Sequence, residues 1–213
     1  MTDALAAVCR QLGIVPDPAQ LEKLAAYAAL LQRWNATYNL TAVRSAEDIL
    51  THHLADCLAV VPALQRQGAG GRLLDVGSGG GLPGVVIATM LPRWDVTCVD
   101  TVGKKAAFVR QAAGALALPN LHAAHARVEA LKLPAFDAIT ARAFASLADL
   151  VKLTRAQMAP GGVWMAMKGR APEDEIRALP DDVDVFHVEP LAVPGLDAQR
   201  CLVWMRLRAT PGA

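Results

Sequence analysis

The chain carries almost no net charge: 21 Lys and Arg stand against 20 Asp and Glu, leaving +1 at pH 7. That excludes a protein holding nucleic acid through a global field; such a partner would need a local basic patch. The two parts differ only mildly, with 5 basic and 6 acidic side chains in residues 1–71 and 16 and 14 in residues 72–213. No apolar run is long enough to span a membrane. Met1-Thr2-Asp3-Ala4 lacks the basic start and apolar stretch of a signal peptide, so the expected compartment is the cytoplasm. No C-x-x-C pair occurs. Cys9, Cys57, Cys98 and Cys201 are scattered among apolar residues and read as buried thiols rather than disulfides or zinc ligands. His122 and His125 are three apart, but no cysteine or acid pair completes a metal site, and no metal is expected. Internal repeats and low-complexity segments are also missing.

What remains is a chain of 213 residues, 54% hydrophobic, enough for one packed domain with a small appendage. Its most informative stretch is Asp75-Val76-Gly77-Ser78-Gly79-Gly80-Gly81-Leu82-Pro83-Gly84. Apolar Leu73-Leu74 precede it and Val85-Val86-Ile87-Ala88 follow, which reads as strand, glycine loop, helix start. Glycine permits positive φ and lets a ligand approach bare backbone. The helix start behind the loop offers free N–H groups and a positive dipole end. Asp100 closes the next apolar run, 23 residues after Gly77, where an acid can accept hydrogen bonds from a ribose diol. A nucleoside cofactor on a Rossmann-like sheet is implied.

Two cofactors compete. Gly79 to Gly84 fits the dinucleotide pattern G-x-G-x-x-G. Asp75 to Gly81 resembles the first motif of S-adenosylmethionine methyltransferases, an acid followed by G-x-G-x-G. The carboxylate would crowd a pyrophosphate but suits a cationic amino-acid end, and Pro83 removes one N–H from the helix start. The methyl donor is favoured; a dinucleotide-binding domain without enzymatic activity stays the alternative.

Along the chain, residues 3–12 predict a short helix. Asp17 and Pro18 cap a longer one that runs down near Trp34-Asn35. Ser45 to Asp48 resembles a capping box opening a helix to about Val61, stopped by Pro62. Residues 1–66 thus form a helical cap, and 67–213 the core. Strands are predicted near 72–76, 94–99, 121–124, 136–141 and 163–168. Helices are predicted near 84–91, 103–117, 147–158 and 173–178. The alternation argues a parallel sheet with helices on both faces. Late strands near 183–189 and 201–208 lack a helix between them and read as an antiparallel pair at one edge. The expected class is α/β: a Rossmann-like class I methyltransferase fold with a seven-stranded sheet.

Further segments share one likeness. They are Trp34-Asn35-Ala36-Thr37-Tyr38-Asn39-Leu40-Thr41, His53-Leu54-Ala55-Asp56-Cys57-Leu58, Val99 to Lys105, Ala126-Arg127-Val128-Glu129, Thr140 to Ala145, Lys168-Gly169 and Asp197 to Arg200. With the glycine loop they resemble the bacterial small-subunit ribosomal RNA guanine-N7 methyltransferases, also called the glucose-inhibited division protein B family. The glycine motif is shared by many methyltransferases; the Trp34–Thr41 and Arg142–Ala145 segments are far more specific. The resemblance implies transfer to a guanine of 16S ribosomal RNA, position 527 in the customary RNA numbering. It also implies cofactor contacts at Gly77, Leu82, Val128, Glu129 and Arg142. Cys57 and Thr101 stand where the family usually has serine.

From the residues themselves, Asp75, Ser78, Gly79, Gly81 and Asp100 join the cofactor candidates. Arg142, Lys168, Arg170 and Arg200 are the candidate RNA surface, with 16S rRNA or the small ribosomal subunit as partner. Glu129 and Arg142 read equally as ordinary strand-end surface charges. Trp34 and Tyr38 read as a packed pair and His52-His53 as packing between cap and core. No general base is expected, because guanine N7 bears a lone pair and no proton. The chain also lacks an Asn-Pro-Pro-Tyr-type segment used on exocyclic amines, and a proline-cysteine nucleophile used on cytosine C5.

Overall fold

Asp17 starts the long cap helix as its sequence dictates. In the computed structural model, which describes residues 1–208, its side chain accepts from Ala19 N–H at 2.8 Å, and Gln20 returns a bond to Asp17 N–H at 2.9 Å. Pro18 occupies the first turn, where its missing N–H has no partner to lose. Helix α1 spans Thr2–Gln11 and α2 spans Pro18–Tyr38. Helix α2 thus runs a turn beyond the expected end. Asn39, at φ 49°, makes the left-handed stop that ends the helix. Asn35 is buried instead; its amide donates to Val43 O and accepts from Thr41 N–H, tying down the next loop.

Ser45 caps α3 (Ala46–Ile49) through Asp48 N–H. The helix then widens into a π-helical segment, Leu50–Ala55, before the short α4 (Asp56–Leu58). Pro62 does not stop this helix. The break falls earlier, at Ala59-Val60, and Pro62 lies in the first turn of α5 (Val61–Gln67), where proline is tolerated. The expected cap boundary at 66 falls inside α5.

The core alternates as predicted: β1 (Gly71–Val76), α6 (Gly84–Met90), β2 (Trp94–Asp100), α7 (Gly103–Ala115), β3 (Leu121–His125), β4 (Phe136–Arg142), α8 (Leu147–Thr154), β5 (Met158–Lys168), α9 (Glu173–Arg177), β6 (Val183–Leu191) and β7 (Arg200–Leu207). The sheet has seven strands in the order β3-β2-β1-β4-β5-β7-β6. Strands β3, β2, β1, β4 and β5 are parallel, while β7 runs antiparallel between β5 and β6. Helix α8 ends four residues short of the expected 158, because Arg155–Gln157 tighten into a 3₁₀ turn and β5 begins at Met158.

Two apolar clusters hold these layers. One joins the cap to a sheet face through Leu24, Leu31, Leu58, Leu73, Val86 and Phe108. The other packs α8 on the opposite face through Leu74, Ile139, Leu150, Trp164 and Val203. Burying side chains of this size stabilises by roughly 1.5–3 kcal/mol each, so the cap is bound to the sheet by shared core. All four cysteines are free and buried. Among the described residues, no helix is long and apolar enough to cross a membrane.

Candidate cofactor and substrate site

Strand direction gathers the candidate residues at one edge. Strands β1, β2, β4 and β5 all end there, delivering Gly77, Asp100, Arg142 and Lys168. Strand β7 runs the other way, so it begins there: Cys201 pairs with Lys168, and Arg200 precedes it. Adjacent strands β1 and β4 lead to crossovers on opposite sides, the switch point at which open α/β sheets bind ligands.

Two cavities open at this edge and meet at Gly77. The larger, about 650 Å³, is lined by Ser78, Gly79, Gly80 and Leu82 of the loop, by Thr41, His53 and Asp56 of the cap, and by Arg142, Lys168 and Arg200. The smaller, about 210 Å³, is lined by Val99, Asp100, Ala126, Val128, Glu129 and Phe144. Gly77 is exposed at φ 65°, and a Cβ there would sit 3.3 Å from the Phe144 ring.

Most N–H groups of the loop already have acceptors within the protein. Gly77 and Ser78 donate to Val99 O, Gly81 and Leu82 donate to Ser78 O, and Val85 donates to Gly81 O. Gly79 donates to Asp100 Oδ2 at 3.0 Å, and Gly84 to Asp75 Oδ2 at 2.8 Å. Gly81 serves packing: a Cβ there would lie 2.5 Å from Val85, and it lines neither cavity.

Asp75 also lines neither cavity. Alternation along β1 turns it with Leu73 toward α6, where it is fully buried. Its Oδ1 has no hydrogen-bond partner. Burial pushes its carboxyl up to about 7, opposed by the Gly84 N–H bond and the positive charge of Arg142. Asp100 ends β2 and lines the smaller cavity, 7% exposed. Its second oxygen accepts from Val102 N–H at 2.9 Å, and Lys105 Nζ lies 3.8 Å away.

Val128 is buried in a 3₁₀ turn after β3, and Glu129 beside it is exposed, paired with Arg127 at 3.4 Å. Arg142 is no free surface charge. Its Nη1 donates to Asp56 Oδ2 at 3.2 Å and to His52 O at 3.1 Å. Arg200 Nε donates to the other Asp56 oxygen at 3.0 Å. Lys168 donates to Ala145 O and to Glu175 at 2.8 Å. Arg170 is exposed and forms no ion pair among the described residues. Ala143, next to Arg142, takes the left-handed conformation at φ 52° and turns the chain toward Phe144.

His53 is buried, and burial first, then Arg142, lower its ring to about 4. Its two ring nitrogens are both engaged: Nε2 lies 2.6 Å from the Thr41 hydroxyl, and Nδ1 lies 3.0 Å from His52 O and 3.4 Å from Arg142 Nη1 and Nη2. The Trp34–Tyr38 pair is packed as expected, with ring centroids 4.9 Å apart and Phe108 closing on Trp34 at 5.4 Å. Three contributors escaped the sequence reading: Tyr27, Asp56 and Phe144. An acid between Leu54-Ala55 and Cys57-Leu58 was the available signal for Asp56, since a buried carboxylate needs partners.

The rRNA small subunit methyltransferase G family matches residues 20–203. The chain belongs to this family. A family relative from Acidovorax sp. (strain JS42) is 58% identical over 205 residues, covering 92% of this chain and 90% of its own. Another, from Leptothrix cholodnii, is 59% identical over 209 residues, covering 97% and 96%. Among solved structures, TrmN from Thermus thermophilus superposes with a TM-score of 0.56 at 27% identity, covering 70% of this chain and 48% of its own. The glycopeptide N-methyltransferase MtfA, solved with S-adenosyl-L-homocysteine, reaches a TM-score of 0.61 at 13% identity, covering 75% and 92%. That likeness speaks to the fold, and it places the family's core among methyltransferase sheets.

Proposed function

We propose that this protein transfers a methyl group from S-adenosylmethionine to N7 of one guanine in 16S ribosomal RNA. The observation that carries the reading is the loop's bonding, taken with the family. A pyrophosphate needs free N–H groups at the helix start. Here Gly81, Leu82, Gly84 and Val85 already have acceptors, and Pro83 has no N–H. The Asp75 carboxylate takes the place where an anion would gain most. A dinucleotide is disfavoured on those grounds, and a neutral ribose with a cationic amino acid is favoured.

The smaller cavity suits the adenine, with Val128 and Phe144 offering apolar walls and Asp100 the ribose contact. The larger suits the methionine end and the incoming base. When bound, the cofactor supplies an electrophilic methyl on a sulfonium. The chain's part is to hold the guanine lone pair in line with it and to exclude water. No side chain must remove a proton, and His53 Nε2, the ring nitrogen at the cavity, is engaged by the Thr41 hydroxyl. The RNA target is a loop whose base can be splayed out, the usual mode for sequence-specific RNA contacts. Cytoplasmic 16S rRNA, free or in the small subunit, is the proposed partner.

The test incubates purified protein with labelled donor and either ribosomal RNA or small subunits, then maps the modified atom. N7-methylguanine at a single small-subunit site is the expected product. Methylation of another atom, or of DNA or protein alone, refutes the substrate.

A further inference from the structure

Asp56 lies between two arginines that reach the large cavity from different strands. It is 3% exposed, and each oxygen serves one partner: Oδ2 takes Arg142 Nη1 at 3.2 Å, and Oδ1 takes Arg200 Nε at 3.0 Å. Arg142 closes β4, Arg200 opens β7, and Asp56 comes from the cap at the exit of the π-helical segment. A widened turn in a helix is often found at functional sites. This one presents the His52 carbonyl to Arg142 at 3.1 Å. Arg200 Nη1 is held from another side by Gln199 O at 2.9 Å. Arg142 Nη1 and Nη2 also lie 3.4 Å from His53 Nδ1. Both guanidiniums are therefore held on their cap side, while their side chains, 21% and 27% exposed, still border the cavity.

We propose that Asp56 is a positioning residue: it aims the guanidiniums of Arg142 and Arg200 so that their remaining N–H groups meet the acceptor oxygens of the target nucleotide. The proposal rests on the RNA methyltransferase reading above. Arginine suits this use because its donors are planar and rigid, so fixing two of them aims the rest. Asp56 cannot itself serve as a base toward substrate, because both oxygens are engaged. It also reduces the local charge of the pair from +2 to +1, so it weakens the general attraction for RNA while sharpening geometry.

That opposition gives a signature no purely structural residue would leave. Asp56→Asn removes one negative charge and can accept from only one arginine. RNA attraction should be retained or strengthened, so KM for small subunits should stay level or fall. The turnover number should fall on the order of a hundredfold, the usual cost of a reactant misplaced by about 1 Å. Asp56→Glu keeps the charge but shifts the carboxylate by one methylene; it should keep KM and recover part of kcat. Thermal melts and cofactor calorimetry on the same preparations register any loss of fold. If Asp56→Asn does not fold, Asp56→Glu alone decides, with lowered kcat at unchanged KM supporting the proposal. A lower melting temperature with kcat unchanged in both folded variants would overturn it, and so would a rise in KM with kcat unchanged. Wild-type protein that binds cofactor yet methylates no ribosomal RNA would overturn the substrate reading and this proposal with it. An active wild type with indifferent variants overturns the proposal alone.

Discussion

The Tyr27 hydroxyl donates to the Gly80 carbonyl at 2.6 Å, joining the long cap helix to the middle of the glycine loop. Both groups are buried. The cap thereby supports the proposed cofactor site although it contributes no backbone to the loop. Tyr27→Phe keeps the ring packing against Phe108 and removes only the donor. A buried carbonyl left unpaired costs about 1–3 kcal/mol. We expect that loss in thermal or urea unfolding, together with weaker cofactor binding by calorimetry. Unchanged stability and affinity would mean the loop holds its shape unaided.

Asp100 performs two tasks at the smaller cavity. It pins the loop through Gly79 N–H and the start of α7 through Val102 N–H, and it borders the space proposed for the ribose. Asp100→Ala should weaken binding of S-adenosylmethionine by about 1–3 kcal/mol, since polar groups on both sides lose partners. Titration calorimetry measures this directly. A dissociation constant equal to wild type would place the ribose elsewhere.

The basic candidates should separate in salt. Arg170 is exposed and has no ion pair among the described residues, whereas Lys168 is bound to Glu175 and to Ala145 O. If Arg170 touches a phosphate, Arg170→Ala should lower the slope of log affinity against log salt by about 1. Lys168→Ala should leave that slope nearer wild type and show its effect as a loosened α9. Equal slopes for wild type and Arg170→Ala would remove Arg170 from the RNA surface.

The strand–loop–helix order was legible because its signals are local: glycines, an apolar run, and an acid ending the next strand. Asp100 and Gly77 lie where such signals put them. The cap was read less well. Its helix from Ser45 contains a π-helical segment and a break before Pro62, and no residue type in the stretch signals either. The partners of charged residues were not legible. Arg142, Arg200 and Asp56 are up to 144 positions apart, and only the reversed direction of β7 brings Arg200 beside the cap. Asp75 was expected beside the cofactor; strand alternation turns it inward to Gly84 instead.

Two buried groups should impose opposite pH slopes on the stability of cofactor-free protein. Asp75 is raised by burial from 3.8 to about 7, so between those values the folded state binds the extra proton. Its contribution is full below pH 4 and is lost as pH rises through about 7. His53 is lowered by burial from 6.5 to about 4, so between those values the unfolded state binds the extra proton. Its contribution is full above pH 6.5 and is lost as pH falls through about 4. At 1.36 kcal/mol per unit, each slope is worth about 3–4 kcal/mol. From pH 4 to 6.5 they oppose each other, and their sum is nearly flat in the intact protein. Asp75→Asn keeps an acceptor for Gly84 N–H and removes the falling slope, so stability should rise from pH 4 to 6.5. His53→Gln keeps a hydrogen-bonding partner for Thr41 and removes the rising slope, so stability should fall from pH 4 to 7. Urea unfolding at half-unit pH steps measures all three curves. Parallel curves for wild type and both variants would show that neither group is held in the ionisation state its surroundings favour.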